Sequence, residues 1–171
     1  IENPVWHLHN GQPRNINFPV TYTLLLNLAS VCHAEDIDVV WSYVSSYAPN
    51  LKRSAELDTL IQLAVNYYKE KIEPFKKYRL PDEKERQGIV ELIKILKNLD
   101  QNTSSDEIQS IIFAIGKNLE YENLRDWFKG LYETILGQPE GPRMGSFIKL
   151  YGIESTQLLL EKVLEGHLTN K

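Results

Sequence analysis

Residues 124–152 read LRDWFKGLYETILGQPEGPRMGSFIKLYG. The first thirteen residues form an amphipathic helix pattern in which Leu124, Phe128, Leu131 and Ile135 recur at helical spacing. That phase places Trp127 beside the buried stripe and Arg125 opposite it. The pattern stops at GQPEGPRMGSF (137–147), which holds three glycines, two prolines and one arginine. Glycine admits backbone conformations that other residues avoid, and proline stiffens the chain. The stretch is therefore a rigid elbow between two helices, a short one near 145–151 and a last one at about 153–165.

The same reading extends along the chain. Leu24, Leu25, Leu28 and Val31 predict a first helix at about 19–32. AEDID (34–38) opens a second, about 35–47, its acids suited to the positive end of the helix dipole. Leu57, Leu60, Ile61, Ala64, Val65 and Tyr68 carry a third over 54–78, which Pro74 kinks or ends one turn early. Pro81-Asp82-Glu83 starts a fourth that runs to about Leu99. Ser104 or Ser105 caps a fifth at 105–119, and Asn123 a sixth at 124–136. IIFAI (111–115) would suit a strand, but its flanks are helical. The expectation is all-α, a helical bundle of about eight helices. It comprises an extended N-terminal segment (1–18), a helical-bundle subdomain (19–101) and a C-terminal helical subdomain (102–171), with the polar DQNTSSDE (100–107) at the internal boundary.

Composition limits the function. The chain of 171 residues is 42% hydrophobic and 25% charged, with net charge −4. An acidic balance argues against broad, non-specific nucleic-acid binding but leaves room for a local basic patch. No apolar run approaches the ~20 residues that span a bilayer, so no membrane partner is expected. Cys32 is the only cysteine, which excludes a disulfide and suits a reducing cytoplasm. The chain opens at Ile1 rather than Met and so reads as a fragment or processed product.

Catalytic signatures are missing. His7 and His9 would face one way in an extended segment, but a zinc site needs further ligands, and Cys32, His33 and His167 stand at no motif spacing. No metal site is expected. Cys32 and His33 are adjacent, so on a helix they point ~100° apart and cannot act as nucleophile and base. No GxSxG, Walker A, GxGxxG or HExxH stretch occurs. Two features point to an anion or a base instead. Lys69 to Arg79 holds five basic and two acidic residues interleaved with Phe75 and Tyr78, the composition that meets phosphates and stacks bases. The plainer reading is a solvated helix face with a Glu73–Lys77 pair. The elbow holds Arg143 immediately before a helix N-terminus at Gly145-Ser146, where N–H groups and a guanidinium can meet an anion. Its plainer reading is a connector with Arg143 paired to Glu140 or Glu133.

Several stretches carry a resemblance: NPVWHLHNG (3–11), NFPVTYTLLLNLAS (17–30), YAPN (47–50), EPFKKYR (73–79) and, most specifically, WFKGLYETILGQPEGPRMGSFIKLYG (127–152). In order and over essentially the whole chain they resemble the C-terminal part of class I lysyl-tRNA synthetases, with bacterial members of alphaproteobacterial type nearest. The wording of 80–122 contributes little. Members join lysine to tRNA with ATP, through a lysyl-adenylate, in an N-terminal Rossmann domain bearing HIGH-like and KMSKS-like signatures. Neither signature is present, and His7-Leu8-His9-Asn10 lacks the glycine of a HIGH motif. The resemblance implies the helical, cage-like anticodon-binding domain without catalytic residues. Its own cofactor would be none, with ATP used by the parent enzyme. Its partners would be lysine tRNA and the N-terminal catalytic domain of the same parent chain, with nothing demanding more than a monomer.

On that implication Arg143 donates to a uracil or to the loop phosphate, and Gly141, Gly145 and Ser146 supply backbone groups. Trp127, Phe147 or Tyr151 stacks on a base, and Lys76, Lys77 and Arg79 meet stem phosphates. The rival expectations are a helical protein-interaction module, such as a synthetase paralogue without RNA binding, and a small metal hydrolase using His7 and His9.

Overall fold

Side-chain caps set most helix starts. In the computed structural model, which describes residues 19–32 and 36–169, the helices are α1 (Tyr22–Cys32), α2 (Ile37–Tyr47), α3 (Ala55–Tyr67), α4 (Glu83–Lys97), α5 (Ser105–Asn118), α6 (Leu124–Ile135), α7 (Met144–Tyr151) and α8 (Ile153–Leu164). Asp36, Ser54, Asp82, Ser104 and Asn123 each accept a hydrogen bond from a first-turn N–H of α2 to α6. Asp82 with Glu85 and Ser104 with Glu107 form reciprocal capping boxes. Ser104 is thus the cap of α5. The described residues are helices and connections without a strand, and IIFAI lies inside α5. The N-terminal segment 1–18, with Trp6, His7 and His9, and also His33, lie outside the described residues.

Pro74 acts earlier than one turn. Proline offers no N–H and crowds the carbonyl four residues back. The third helix ends at Tyr67, widens into a π turn over Tyr68–Ile72, where Glu73 N–H donates to Tyr68 C=O, and tightens into a 3₁₀ turn over Glu73–Phe75. From Lys76 the chain is extended.

α1, α2 and α3 pack together, and α4 lies against α5, α6 and α8. α7 touches α1, α2, α5 and α8, so it sits in the middle of the molecule. Burial follows. The stripe of α6 is Trp127, Leu131, Thr134 and Ile135, turned from the expected phase, and Phe128 is left half-buried at its edge. The Trp127 ring is 0% exposed, and its Nε1 donates to Ile112 C=O at 3.0 Å. It lies in a slot cut by two helix glycines. A Cβ on Gly88 would stand 2.6 Å from its Cη2, and one on Gly116 2.7 Å from its Cδ1. Burying such a ring removes ~200 Å² of surface, about 5 kcal/mol at ~25 cal/mol/Å².

Candidate nucleic-acid interface

The elbow and the basic tract, separate in sequence, meet in the fold. α6 ends at Ile135 with Leu136 as its cap, and Gly137 takes φ +69°, a left-handed conformation that favours glycine. Its carbonyl accepts from Lys77 N–H at 2.9 Å. Farther along, the Tyr132 hydroxyl donates to Pro142 C=O at 2.8 Å, and the Tyr132 ring fills the space beside Gly141. Gly145 lets the first turns of α5 and α7 touch, because a Cβ there would run into Ser105 C=O and Gln109. The Gly145 N–H donates to Gln109 Oε1 at 2.8 Å, so it is already engaged. Gly141 and Gly145 are packing positions, with half-buried Ser146 beside them.

Arg143 projects from this pinned elbow with 51% of its side chain exposed. Its guanidinium pairs with Asp106 in the first turn of α5, rather than with Glu140 or Glu133. Both partners face solvent, and such pairs contribute only ~0–1 kcal/mol. An incoming anion can displace the carboxylate at small cost.

The expected stacking platforms are placed differently. Trp127 and Phe147 are both fully buried and offer no face to a base. Tyr151 is half-buried and stacked against Tyr43 and Phe147, with centroids at 5.3 and 5.6 Å. Burial pushes its hydroxyl above the usual tyrosine range, with the Cys32 and Tyr43 charges adding to the effect. The phosphate candidates also divide. Lys76 Nζ donates to Ser30 C=O in the last turn of α1 at 3.1 Å and lies over Tyr68 and Tyr78. Arg79 makes a fork to Glu85 (2.6 and 2.7 Å) and bonds Glu133 (2.6 Å). The Glu85 and Glu133 carboxylates hold its guanidinium well above the ordinary arginine range, against the opposing effect of burial. Arg79 is therefore a clamp between α4 and α6. Lys77 is the exposed member of the three.

An open cleft beside the elbow has residues that sequence reading did not single out. α5 supplies Gln109 and Phe113, α6 supplies Arg125, Phe128, Lys129 and Tyr132, and the elbow supplies Pro139 to Gly141. Phe113 is 41% exposed and meets Phe128 edge to face at 5.0 Å. Arg143, two residues beyond Gly141, pairs with Asp106, which lies one turn before Gln109 on α5. Phe113 was visible as an aromatic off the Ile108, Ile112 and Ile115 stripe. Elsewhere, burial pushes the Cys32 thiol up to about 12, partly offset by a hydrogen bond with Tyr43, which keeps it protonated at neutral pH. Among the described residues no group of three His, Cys, Asp or Glu side chains converges as a metal site, and no helix is long and apolar enough to cross a membrane.

No family model matches the chain. Curated relatives do. The lysine–tRNA ligase of Rickettsia felis is 45% identical over 162 residues, covering 93% of this chain and 31% of that protein. That of Rickettsia bellii is 44% identical over 165 residues, covering 95% and 32%. That of Rickettsia prowazekii is 42% identical over 168 residues, covering 96% and 32%. The chain spans about a third of the length of the curated relatives it matches.

Proposed function

We propose that this chain, a homologue of lysine–tRNA ligases along nearly its whole length, is the helical, anticodon-recognising part of a class I enzyme of that kind. It would hold the anticodon loop of lysine tRNA in the cytoplasm while a catalytic domain elsewhere in the parent chain carries out ATP-dependent lysylation. The observation that supports this reading best is the cleft at the elbow. It combines the exposed Phe113 and the half-buried Phe128, in edge-to-face contact, with Arg125 and Lys129, and Arg143 follows two residues beyond its Gly141. Unpaired bases stack on such faces for ~1–3 kcal/mol each. Cations around them meet phosphates and set register without reading sequence. Arg143 is the donor that the pinned elbow presents to an anion or a base edge.

The test is a titration of the chain with a lysine-tRNA anticodon stem-loop at two salt concentrations. Arg143→Ala weakens binding by ~1–3 kcal/mol, about 5–150-fold. Binding at neither salt leaves a domain that needs its catalytic partner or a helical interaction module, and the same titration with the full parent chain separates them. Equal, salt-sensitive affinity for natural and altered loops reduces the role to backbone attraction.

A further inference from the structure

A second cavity shares no residue with the elbow cleft. It encloses about 450 Å³, within the ~300–1,000 Å³ typical of small-molecule sites. α1, the end of α6 and α8 give it an apolar wall of Val31, Ile135, Leu158 and Leu159. Its polar lining comes from Tyr43, Tyr78, Tyr151, Ser155, Lys162 and His167. A few polar groups set in an apolar wall are what orient a small ligand.

The polar groups narrow the occupant. The Tyr43 hydroxyl is engaged with Cys32 and Ser155. His167 pairs with Glu165 at 3.1 Å. The hydroxyls of Tyr78 and Tyr151 and the Lys162 amine have no hydrogen-bond or ion-pair partner among the described residues. The two rings are fixed already. Tyr151 lies between Tyr43 and Phe147, and Lys76 Nζ covers Tyr78 at 5.0 Å from its centroid. Their hydroxyls, rather than their faces, are therefore what a ligand can use. Burial pushes the Tyr78 hydroxyl up to about 12, with the Glu73 charge adding. Burial also raises that of Tyr151, so both stay protonated and able to donate.

Charge sets the sign of the ligand. The chain carries a net charge of −4, yet no Asp or Glu is among the described residues of this lining, and Lys162 brings an unpaired positive charge. An apolar body carrying one negative charge complements such a lining. The body gains by leaving water, and a charge-assisted contact fixes its orientation. We propose that this cavity binds a small organic acid, an aromatic monocarboxylate, with its ring against Val31, Ile135 and Leu159 and its carboxylate accepting from Lys162 and the free tyrosine hydroxyls. The site is independent of the RNA-reading function.

The 171-residue chain is titrated by calorimetry with 2-naphthoate and with 2-naphthalenemethanol, its uncharged match. Naphthoate saturates one site with a Kd below about 1 mM. The alcohol binds about tenfold more weakly, the value of one charge-assisted contact at a solvated lysine. Lys162→Gln removes that preference and leaves affinity for the alcohol unchanged. Lys162 is exposed, so the change does not threaten folding. Tyr78→Phe and Tyr151→Phe keep both rings, and each weakens naphthoate about 2–10-fold. Naphthoate that does not saturate, equal affinity for acid and alcohol, or a preference that survives Lys162→Gln overturns the proposal. Displacement of bound naphthoate by the anticodon stem-loop also overturns it, because the cavity would then belong to the RNA surface.

Discussion

Removing Arg79 separates a structural clamp from a phosphate contact. Its guanidinium spans Glu85 and Glu133, with three bonds of 2.6 to 2.7 Å. Glu85 is 5% exposed and fits against Gly130, where a Cβ would collide with its carboxylate. Arg79→Ala leaves that carboxylate with the Asp82 N–H as its remaining partner. Breaking a buried pair from one side costs ~3–5 kcal/mol. Arg79 itself is 39% exposed, so water reaches the gap and ~2–3 kcal/mol is the better expectation. At ~2–4 °C per kcal/mol for a chain of this size, the melting temperature falls by about 4–12 °C. Arg79→Lys keeps the charge, but one amine cannot reproduce the fork, and it recovers about half of the loss. Thermal unfolding by circular dichroism measures both, beside stem-loop affinity at two salts. An Arg79→Ala chain that melts within a degree of the parent but loses salt-dependent affinity would refute the clamp and make Arg79 a phosphate ligand.

Gly116→Ala tests the slot around Trp127. Alanine adds up to ~1 kcal/mol of helix propensity, while overpacking costs ~1–3 kcal/mol. The ring is held by Ile112 C=O on one side and Gly88 on another, so a net loss of about 1–2 kcal/mol is expected in urea unfolding. Unchanged or higher stability would show that the indole is free to shift. Cys32 tests the packing between α1 and Tyr43. With its thiol pushed up to about 12, roughly one molecule in 10⁴ carries a thiolate at pH 8. Alkylation by iodoacetamide is then roughly 100-fold or more slower than in the unfolded chain, and comparable rates would contradict the burial.

Sequence alone showed most of the helical architecture, because caps and stripes are local. Asp36, Ser54, Asp82, Ser104 and Asn123 each act on N–H groups two or three residues away. What escaped depends on partners far along the chain. The stripe of α6 was misphased because Thr134 and Gly130 belong to the buried face without being apolar. Space chose that face: glycines 39 and 11 residues upstream make the only slot described for the Trp127 ring. Phe147 is buried because α7 has neighbours in α1, α2, α5 and α8. Arg79 finds Glu133 across 54 positions, a pairing that no local spacing shows.

The same ties explain why a glycine-rich elbow can serve recognition. Flexible loops lose affinity because binding must order them. Here Lys77 holds Gly137, Tyr132 holds Pro142, and Gln109 holds Gly145, so folding has already met that cost for the backbone. Asp106 orients the Arg143 side chain through a solvated pair. Exchanging that carboxylate for a phosphate forfeits ~0–1 kcal/mol, whereas a charge-assisted contact to the new partner returns ~1.5–3 kcal/mol. The glycines at 141 and 145 therefore contribute close packing more than freedom, and the arginine between them is the exposed, exchangeable contact of a rigid device.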